Sequence, residues 1–260
     1  MSDVILTERR GGALLITLNR PDQMNALSSE LVRGLGTALR EAGSDDEVRV
    51  VLITGAGRAF CAGADLIEAR TVTESAAAFR DWLILWRDTF AGIERLPKPV
   101  IAVLNGLTLA GGLELALACD FIVARRGAKV GDVHANYGLV PGGGGTQRLP
   151  DAIGTRAARW LMSTGEILPA EKAESLGLVQ QVFADDTFMD DVWALAATMA
   201  TRSAPGLAFM KRLSSSPRVD DRGLDLEIDG AAHLIVGPDA REGLAAFGEK
   251  RAPHFTQPPR

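Results

Sequence analysis

Two glycine-containing runs, each directly after an apolar stretch, carry the strongest chemical signal in the sequence. One run, GAGRAFCAGADL, spans residues 55–66 and follows the apolar residues 48–54. The other, NGLTLAGGLE, spans residues 105–114 and follows the apolar residues 99–104. Glycine lets a ligand approach the backbone closely, and two N–H groups that converge on one carbonyl oxygen form an oxyanion hole. The paired runs therefore predict a site that polarises a carbonyl group.

A carboxylate accompanies the second run. Glu114 lies three residues after Gly111, and the residues around it are almost all apolar. Because Gly111 begins a short predicted helix, Gly111–Cys119, its N–H has no partner within the helix and lies at the positive end of the helix dipole. Burial on such a helix raises the pKa of a carboxyl group toward the range useful for proton transfer. Glu114 is thus a candidate acid/base group, the alternative being a glutamate that faces solvent.

The elements that must position these residues follow from apolar periodicity and turn signals. We predict an antiparallel strand pair joined at Gly11 and Gly12, and a helix that Ser28 caps and that ends near Ala42. The strands of the pair are predicted at residues 4–9 and 13–19, and further strands at residues 48–54, 99–104, 121–124 and near 178–183. Helices are predicted at residues 74–96 and beginning at Pro205 and Pro238. Recurrence of a strand, a glycine turn and a helix indicates weak internal repetition of a ββα unit.

Five segments in order resemble the enoyl-CoA hydratase/isomerase (crotonase) superfamily, and the resemblance covers almost the whole chain. They are residues 19–27, 55–66, 105–114, 137–149 and 242–251. The resemblance implies an α/β fold, a crotonase-like spiral of ββα repeats with a C-terminal helical oligomerisation region. We divide the chain into a core at residues 1–194 and a helical region at residues 195–260. In that family such helices pack between subunits, so the resemblance implies a homotrimer or a homohexamer built as a dimer of trimers.

The resemblance also assigns roles to site residues. It places the oxyanion-hole N–H groups at Ala62 and Gly111, and it makes Glu114 one of two glutamates that hold the attacking water. The second glutamate position holds His134 instead. A neutral imidazole can accept a proton and return it, and Asp132, on the same face if the backbone is extended, would orient the ring. The alternative is a structural histidine in a family member that has lost hydration.

Contacts to CoA are implied for two groups of residues. Those at the nucleotide and pantetheine end are Arg20, Asn25, Ala26, Ala64, Asp65 and Leu66, and those from a neighbouring subunit's tail are Phe247 and Lys250. No cofactor is implied, since CoA is part of the substrate. The run Gly142–Gly145 lacks the lysine of a nucleotide-binding loop and is interpreted as a flexible turn before a helix that starts at Thr146. Cys61 as a thiol nucleophile with His134 as its base is a weaker alternative.

Composition excludes several classes of partner. The chain of 260 residues has a formal net charge of −5, so no basic surplus exists to bind nucleic acid. Its apolar stretches are too short to span a membrane. The histidines and the two cysteines are too dispersed for a metal cluster, and free thiols without a secretion signal lead us to expect a cytoplasmic protein.

The sequence therefore predicts an enzyme that acts on acyl-CoA thioesters, with reversible hydration of 2-enoyl-CoA to 3-hydroxyacyl-CoA as the leading reaction. An enoyl-CoA double-bond isomerase that uses Glu114 alone is the first alternative. An acyl-CoA hydrolase and a non-catalytic acyl-CoA-binding protein also remain open. Acyl chain length cannot be read from the sequence.

Overall fold

The strands divide into two sheets, and in the middle of the chain successive strands alternate between them. The computed structural model describes residues 3–72, 75–214 and 237–255. Of the strands within these residues, six form a large sheet in the order β1 (Ile5–Arg10), β2 (Ala13–Leu18), β3 (Val50–Gly55), β5 (Val100–Leu104), β7 (Phe121–Arg125) and β10 (Gln181–Phe183). Four form a small sheet in the order β4 (Ala59–Cys61), β6 (Leu107–Leu109), β8 (Lys129–Gly131) and β9 (Leu168–Pro169). Neighbouring strands are parallel except for the pairs β1–β2 and β8–β9, which are antiparallel.

The helices are α1 (Ser29–Ser44), α2 (Leu66–Val72), α3 (Ala76–Arg95), α4 (Gly111–Leu117), α5 (Gly145–Ile153), α6 (Thr155–Thr164), α7 (Ala170–Ser175), α8 (Phe188–Ala200), α9 (Ala204–Ser214) and α10 (Pro238–Glu249). Two 3-10 turns span Pro21–Gln23 and His134–Tyr137.

The large sheet has apolar side chains on both faces, which explains the continuous apolar runs in its central strands. Every residue of β3 and β5 is buried, as expected for parallel strands covered on both sides. One face packs against α1 and α3, and the other packs against α8 through side chains such as Val192. Capping signals also act as predicted, because the Ser28 hydroxyl oxygen accepts the N–H of Leu31 at 3.2 Å and α1 begins at the next residue.

The predicted repetition is confirmed. A strand of the large sheet is followed by a short strand of the small sheet and then by a helix, as in β3–β4–α2 and β5–β6–α4. The three short strands β4, β6 and β8 are parallel neighbours, so their carboxyl ends meet at one edge of the small sheet. The residues that follow them, beginning with Ala62, Ala110 and Asp132, therefore converge.

The C-terminal part of the described chain is helical, and α9 and α10 begin beside Pro205 and Pro238 as predicted. Helix α8 runs without a break across the predicted boundary between residues 194 and 195, and the two-part division remains a prediction. Residues 215–236 and 256–260 of the predicted helical region, and Glu74 at the predicted start of α3, lie outside the described residues. Among the residues described, none of the helices has the length and apolar character that crossing a membrane requires.

Candidate active site

Glu114 lies at the centre of the converging loops. It is on α4 and is 1% exposed. Its Oε1 accepts the backbone N–H of Gly143 at 2.7 Å and that of Gly145 at 2.8 Å. Burial raises the pKa of Glu114 above its ordinary value, although these N–H groups and His134 oppose the increase. The predicted burial of this carboxyl group is confirmed, and its pKa is shifted in the direction expected of a glutamate that acts as a general acid or base.

The glycine run 142–145 forms the cradle for this carboxylate. A Cβ atom at Gly143 would lie 3.0 Å from Oε2 of Glu114, and one at Gly145 would lie 3.2 Å from Oε1. Side chains at these positions would therefore push the carboxylate away from the N–H groups that hold it. Helix α5 begins at Gly145, one residue before the predicted start at Thr146, so Glu114 also faces the positive end of that helix.

His134 faces Glu114 from the other side. Its Nε2 lies 3.9 Å from Oε2 of Glu114, and its Nδ1 lies 2.7 Å from Oδ1 of Asp132. A carboxylate only accepts hydrogen bonds, so Nδ1 carries a proton and Nε2 is directed toward Glu114. Burial alone would lower the pKa of His134, but the hydrogen bond to Asp132 and the charges of Asp132 and Glu114 outweigh burial and raise it. Asp132 thus orients the ring, as predicted.

The backbone between Asp132 and His134 differs from the prediction. The sequence interpretation assumed an extended segment, whereas His134 begins a 3-10 turn after Val133, which has φ −105° and ψ 10°. Oδ1 of Asp132 also accepts the backbone N–H of His134 at 3.2 Å. An aspartate side chain that accepts the N–H of the residue two positions later stabilises a turn. This turn brings the imidazole of His134 back onto the carboxylate of Asp132.

Gly111 presents its N–H as predicted. It is the first residue of α4, and no side chain caps this helix. The preceding residue, Ala110, has φ 49° and ψ −118°, a conformation that is strained for alanine and is found mainly at functional sites. A Cβ at Gly112 would lie 2.1 Å from the carbonyl oxygen of Cys61, so only glycine lets α4 begin this close to the end of β4.

The assignment of Ala62 as the second donor requires correction. The N–H of Ala62 donates to the carbonyl oxygen of Met24 at 3.0 Å, so it is already engaged. Leu27 pairs with Ala64 in a parallel bridge through the N–H groups of Leu27 and Asp65. Successive N–H groups of an extended chain point to opposite sides, so that of Ala64 points away from the bridge and has no acceptor within the described chain. Ala64 is therefore the candidate donor.

Ala64 and Gly111 are close neighbours. A Cβ placed on Gly63, the residue before Ala64, would lie 3.5 Å from the backbone nitrogen of Gly111. The two N–H groups thus occupy one corner of the site, with Glu114 one helical turn beyond it. Sequence reasoning missed this pair because it placed Ala64 among the CoA contacts, and the pairing with Leu27 that frees its N–H joins distant segments.

The residues predicted to contact CoA form a hydrogen-bonded wall beside this corner. Arg20 binds Asp65 at 2.7 Å and the carbonyl oxygen of Ala26 at 2.6 Å. Asn25 is fully buried, and its amide donates to the carbonyl oxygens of Ala56 and Ala59.

Asp65 also caps α2 by accepting the N–H groups of Ile67 and Glu68. Burial would raise the pKa of Asp65, but Arg20 and these N–H groups lower it. The side chains of Arg20, Asn25 and Asp65 thus shape the wall. It remains a prediction that CoA contacts the backbone of the wall and the side chain of Leu66, which is 67% exposed.

The other two residues predicted to contact CoA, Phe247 and Lys250, belong to the C-terminal part of the chain and not to this wall. Lys250 is exposed just after α10, and the side chain of Phe247 lies outside the described residues. The structure does not favour Cys61 as a nucleophile, because burial raises the pKa of its thiol to about 12 and its sulfur faces the backbone of Gly63. Among the described residues, no group of three or more His, Cys, Asp or Glu side chains is arranged to hold a metal ion.

This geometry agrees with comparisons to known proteins. A family model described as enoyl-CoA hydratase/isomerase matches residues 8–258. The chain belongs to the enoyl-CoA hydratase/isomerase family. It is 36% identical to the 1,2-epoxyphenylacetyl-CoA isomerase of Escherichia coli over 98% of this chain and 99% of that protein. It is 33% identical to the crotonyl-CoA hydratase of Syntrophomonas wolfei over 96% and 97% of the two chains.

A solved structure shows the same family fold. The crystal structure of an enoyl-CoA hydratase from Bacillus anthracis superposes with a TM-score of 0.93 at 37% identity, over 97% of this chain and 98% of that one. The predicted crotonase-like fold is therefore confirmed. Because family members at similar identity include both a hydratase and an isomerase, the reaction of this member has to be argued from its own residues.

Proposed function

We propose that the protein catalyses the reversible addition of water to a 2-enoyl-CoA thioester, giving the 3-hydroxyacyl-CoA. The observation that carries the proposal is the separation of 3.9 Å between Nε2 of His134 and Oε2 of Glu114. This distance is too long for a direct hydrogen bond and short enough for one water molecule to bridge both atoms. In this proposal the backbone N–H groups of Ala64 and Gly111 hold the thioester oxygen.

The proton inventory of the pair supports hydration. Addition of water needs one group that accepts a proton and one that gives a proton, so the facing atoms of the active pair, Oε2 of Glu114 and Nε2 of His134, carry one transferable proton between them. Two glycine N–H groups stabilise negative charge on Glu114, and Asp132 stabilises positive charge on His134. The working state is therefore a Glu114 carboxylate facing a His134 imidazolium, each assigned the role that its neighbours favour.

The reaction then follows in balanced steps. The thioester oxygen accepts the N–H groups of Ala64 and Gly111, which stabilise the enolate as it forms. The water oxygen bonds to C3 while its proton passes to Glu114, and C2 receives the proton from Nε2 of His134. Transfer of the proton from Glu114 back to His134 restores the starting state. Elimination of water is the same sequence in reverse.

Double-bond isomerisation is the second candidate. It needs one base that removes a proton from one carbon and returns it to another, and Glu114 alone can do this. The observation in its favour is the change of the second glutamate position to His134, since a single-base reaction does not depend on that position.

One experiment separates the two reactions. Purified protein is incubated with 2-enoyl-CoA and 3-enoyl-CoA thioesters in ¹⁸O-labelled water, and the products are identified by mass spectrometry. Hydration predicts a 3-hydroxyacyl-CoA that carries the label, and His134→Ala should abolish it. Formation of unlabelled shifted isomers alone would overturn the proposal, as would release of free CoA as the only product.

We also infer that CoA lies along the wall formed by residues 20–26 and 64–66, in a homotrimer or a dimer of trimers. Leu66 and Lys250 are exposed in the single chain, which leaves them available to CoA and to a neighbouring subunit. The unpaired thiols of Cys61 and Cys119 fit the reducing environment of the cytoplasm. Sedimentation with and without CoA tests the assembly, and a monomer at every concentration would contradict it.

A further inference from the structure

The loop that cradles Glu114 has no side chains with which to fix its own shape. Four consecutive glycines, Gly142–Gly145, form the loop, and glycine loses more conformational freedom on ordering than any other residue. Groups from outside the loop must therefore set its conformation. Leu83 packs against the position of Gly142, and Glu114 fills the space beside Gly143 and Gly145.

Arg148 supplies the remaining support. It lies in the first turn of α5, and its Nη1 donates to the carbonyl oxygen of Gly143 at 2.8 Å. Its Nε donates to Oε1 of Glu94 on α3 at 2.6 Å. A Cβ at Gly144, where φ is +107°, would lie 1.9 Å from Nη1 of Arg148. The third glycine of the run thus makes room for the guanidinium group, as its two neighbours make room for the carboxylate.

We propose that Arg148, anchored by Glu94, is a positioning residue that holds the glycine loop so that Gly143 and Gly145 both donate to Glu114. The chain of contacts runs from Glu94 through Arg148 to the carbonyl oxygen of Gly143, and from the N–H of the same glycine to Oε1 of Glu114. The proposal rests on the role of Glu114 in the proposed function. No side chain of the wall at residues 20–26 takes part in it.

The consequence is chemical as well as structural. His134 is the titratable side chain that faces Glu114, and Asp132 lies behind its ring; both belong to the segment after β8. On α3, the apolar side chains of Leu83 and Phe90 lie against the loop, and Glu94 binds Arg148. The N–H groups of Gly143 and Gly145 are the remaining influence that keeps the carboxylate charged against the effect of burial. If the loop loosens, Glu114 should bind its proton more tightly, and the acid limb of the activity profile should move to higher pH.

The test compares Arg148→Met with Arg87→Met. Arg87 is a matched control because it lies on α3, is 64% exposed, and directs its hydrogen bonds to Asp88 and not to the loop. In Arg148→Met we expect kcat to fall roughly 10- to 100-fold, as for a small misplacement of a reacting group, with KM changed by less than about threefold. The ¹³C signal of the Glu114 carboxyl should titrate at higher pH than in the wild type. Arg87→Met should match the wild type in all three measurements.

The ¹³C titration of Glu114 tests the role of Arg148 even if the proposed reaction is wrong, because the titration is recorded without substrate. An unchanged Glu114 titration in folded Arg148→Met overturns the inference, as does a loss of kcat that only follows a loss of folded protein. If Arg148→Met does not fold, Glu94→Gln takes its place, since it keeps an acceptor for Arg148 and removes the charge that anchors it. A smaller upward movement of the same titration is then expected, and no movement overturns the inference.

Discussion

Replacing Glu114 by Gln removes one charge from the centre of the site and leaves its shape unchanged. The amide oxygen can still accept the N–H groups of Gly143 and Gly145, which places the NH2 group where Oε2 faces His134. The variant therefore keeps its cradle and loses its ability to take a proton. General acid–base catalysis contributes about 10²- to 10⁴-fold, so the barrier should rise by about 2.7–5.5 kcal/mol.

The assay has a kinetic arm and a structural arm. Loss of the enoyl-thioester absorbance measures kcat, and thermal unfolding should show a Tm close to that of the wild type, since a buried charge has been replaced by a neutral group of the same size. The negative charge of Glu114 helps to raise the pKa of His134, so the imidazole of the variant should titrate at lower pH by NMR. Hydration within about tenfold of the wild-type rate, or an unmoved histidine titration, would refute this account of the site.

Four further outcomes are expected. His134→Ala should abolish hydration and spare one-base isomerisation, and equal loss or retention of both activities would contradict the division of roles. The pH profile of hydration should be bell-shaped, because the pair works with one transferable proton. The acid limb should lie above the usual glutamate pKa of about 4.3, and the alkaline limb above the usual imidazole pKa of about 6.5. A profile without an alkaline limb would exclude the imidazolium as the acid. Ala64→Pro, which removes one N–H, should lower kcat by about 10²- to 10³-fold with an unchanged circular dichroism spectrum, and near-normal kcat would return the donor role to another group. Lys98→Met should lower the free energy of unfolding by about 1–3 kcal/mol with little effect on kcat. The reason is that the buried amine of Lys98 donates to the carbonyl oxygens of Ala42 and Asp45 at the end of α1. An unchanged denaturation midpoint would contradict this.

The sequence was sufficient for the elements whose own residues determine them. Strands β3 and β5 were predicted because parallel strands buried on both faces need continuous apolar runs. Helix α1 was predicted because Ser28 and an apolar face mark its start and orientation. The strands β4, β6 and β8 were missed because each has three residues, too few for any periodicity, and forms only by pairing with its neighbours.

The same distinction explains the site. The burial of Glu114 could be predicted because its sequence neighbours are apolar, and its helix start was marked by glycine. Whether Ala62 or Ala64 supplies the second N–H donor could not be predicted from the sequence. Successive N–H groups point to opposite sides of the chain, and only the bridge with Leu27 decides which of them is free. The support that Arg148 gives to the glycine loop was also invisible, since its partner Glu94 is 54 residues away along the chain.

The replacement of a glutamate by His134 is chemically less drastic than it first appears. A pair of carboxyl groups that shares one proton carries one net negative charge. Here Asp132 and Glu114 supply two negative charges and the imidazolium supplies one positive charge, so the three groups also sum to one net negative charge when the pair holds one proton. Asp132 lies behind the ring, 2.7 Å from Nδ1, and its charge raises the pKa of both His134 and Glu114. In the proposed mechanism the group 3.9 Å from Glu114 is thus an imidazolium in place of a carboxylic acid, with the same number of transferable protons, so the proton inventory that we propose for hydration is unchanged.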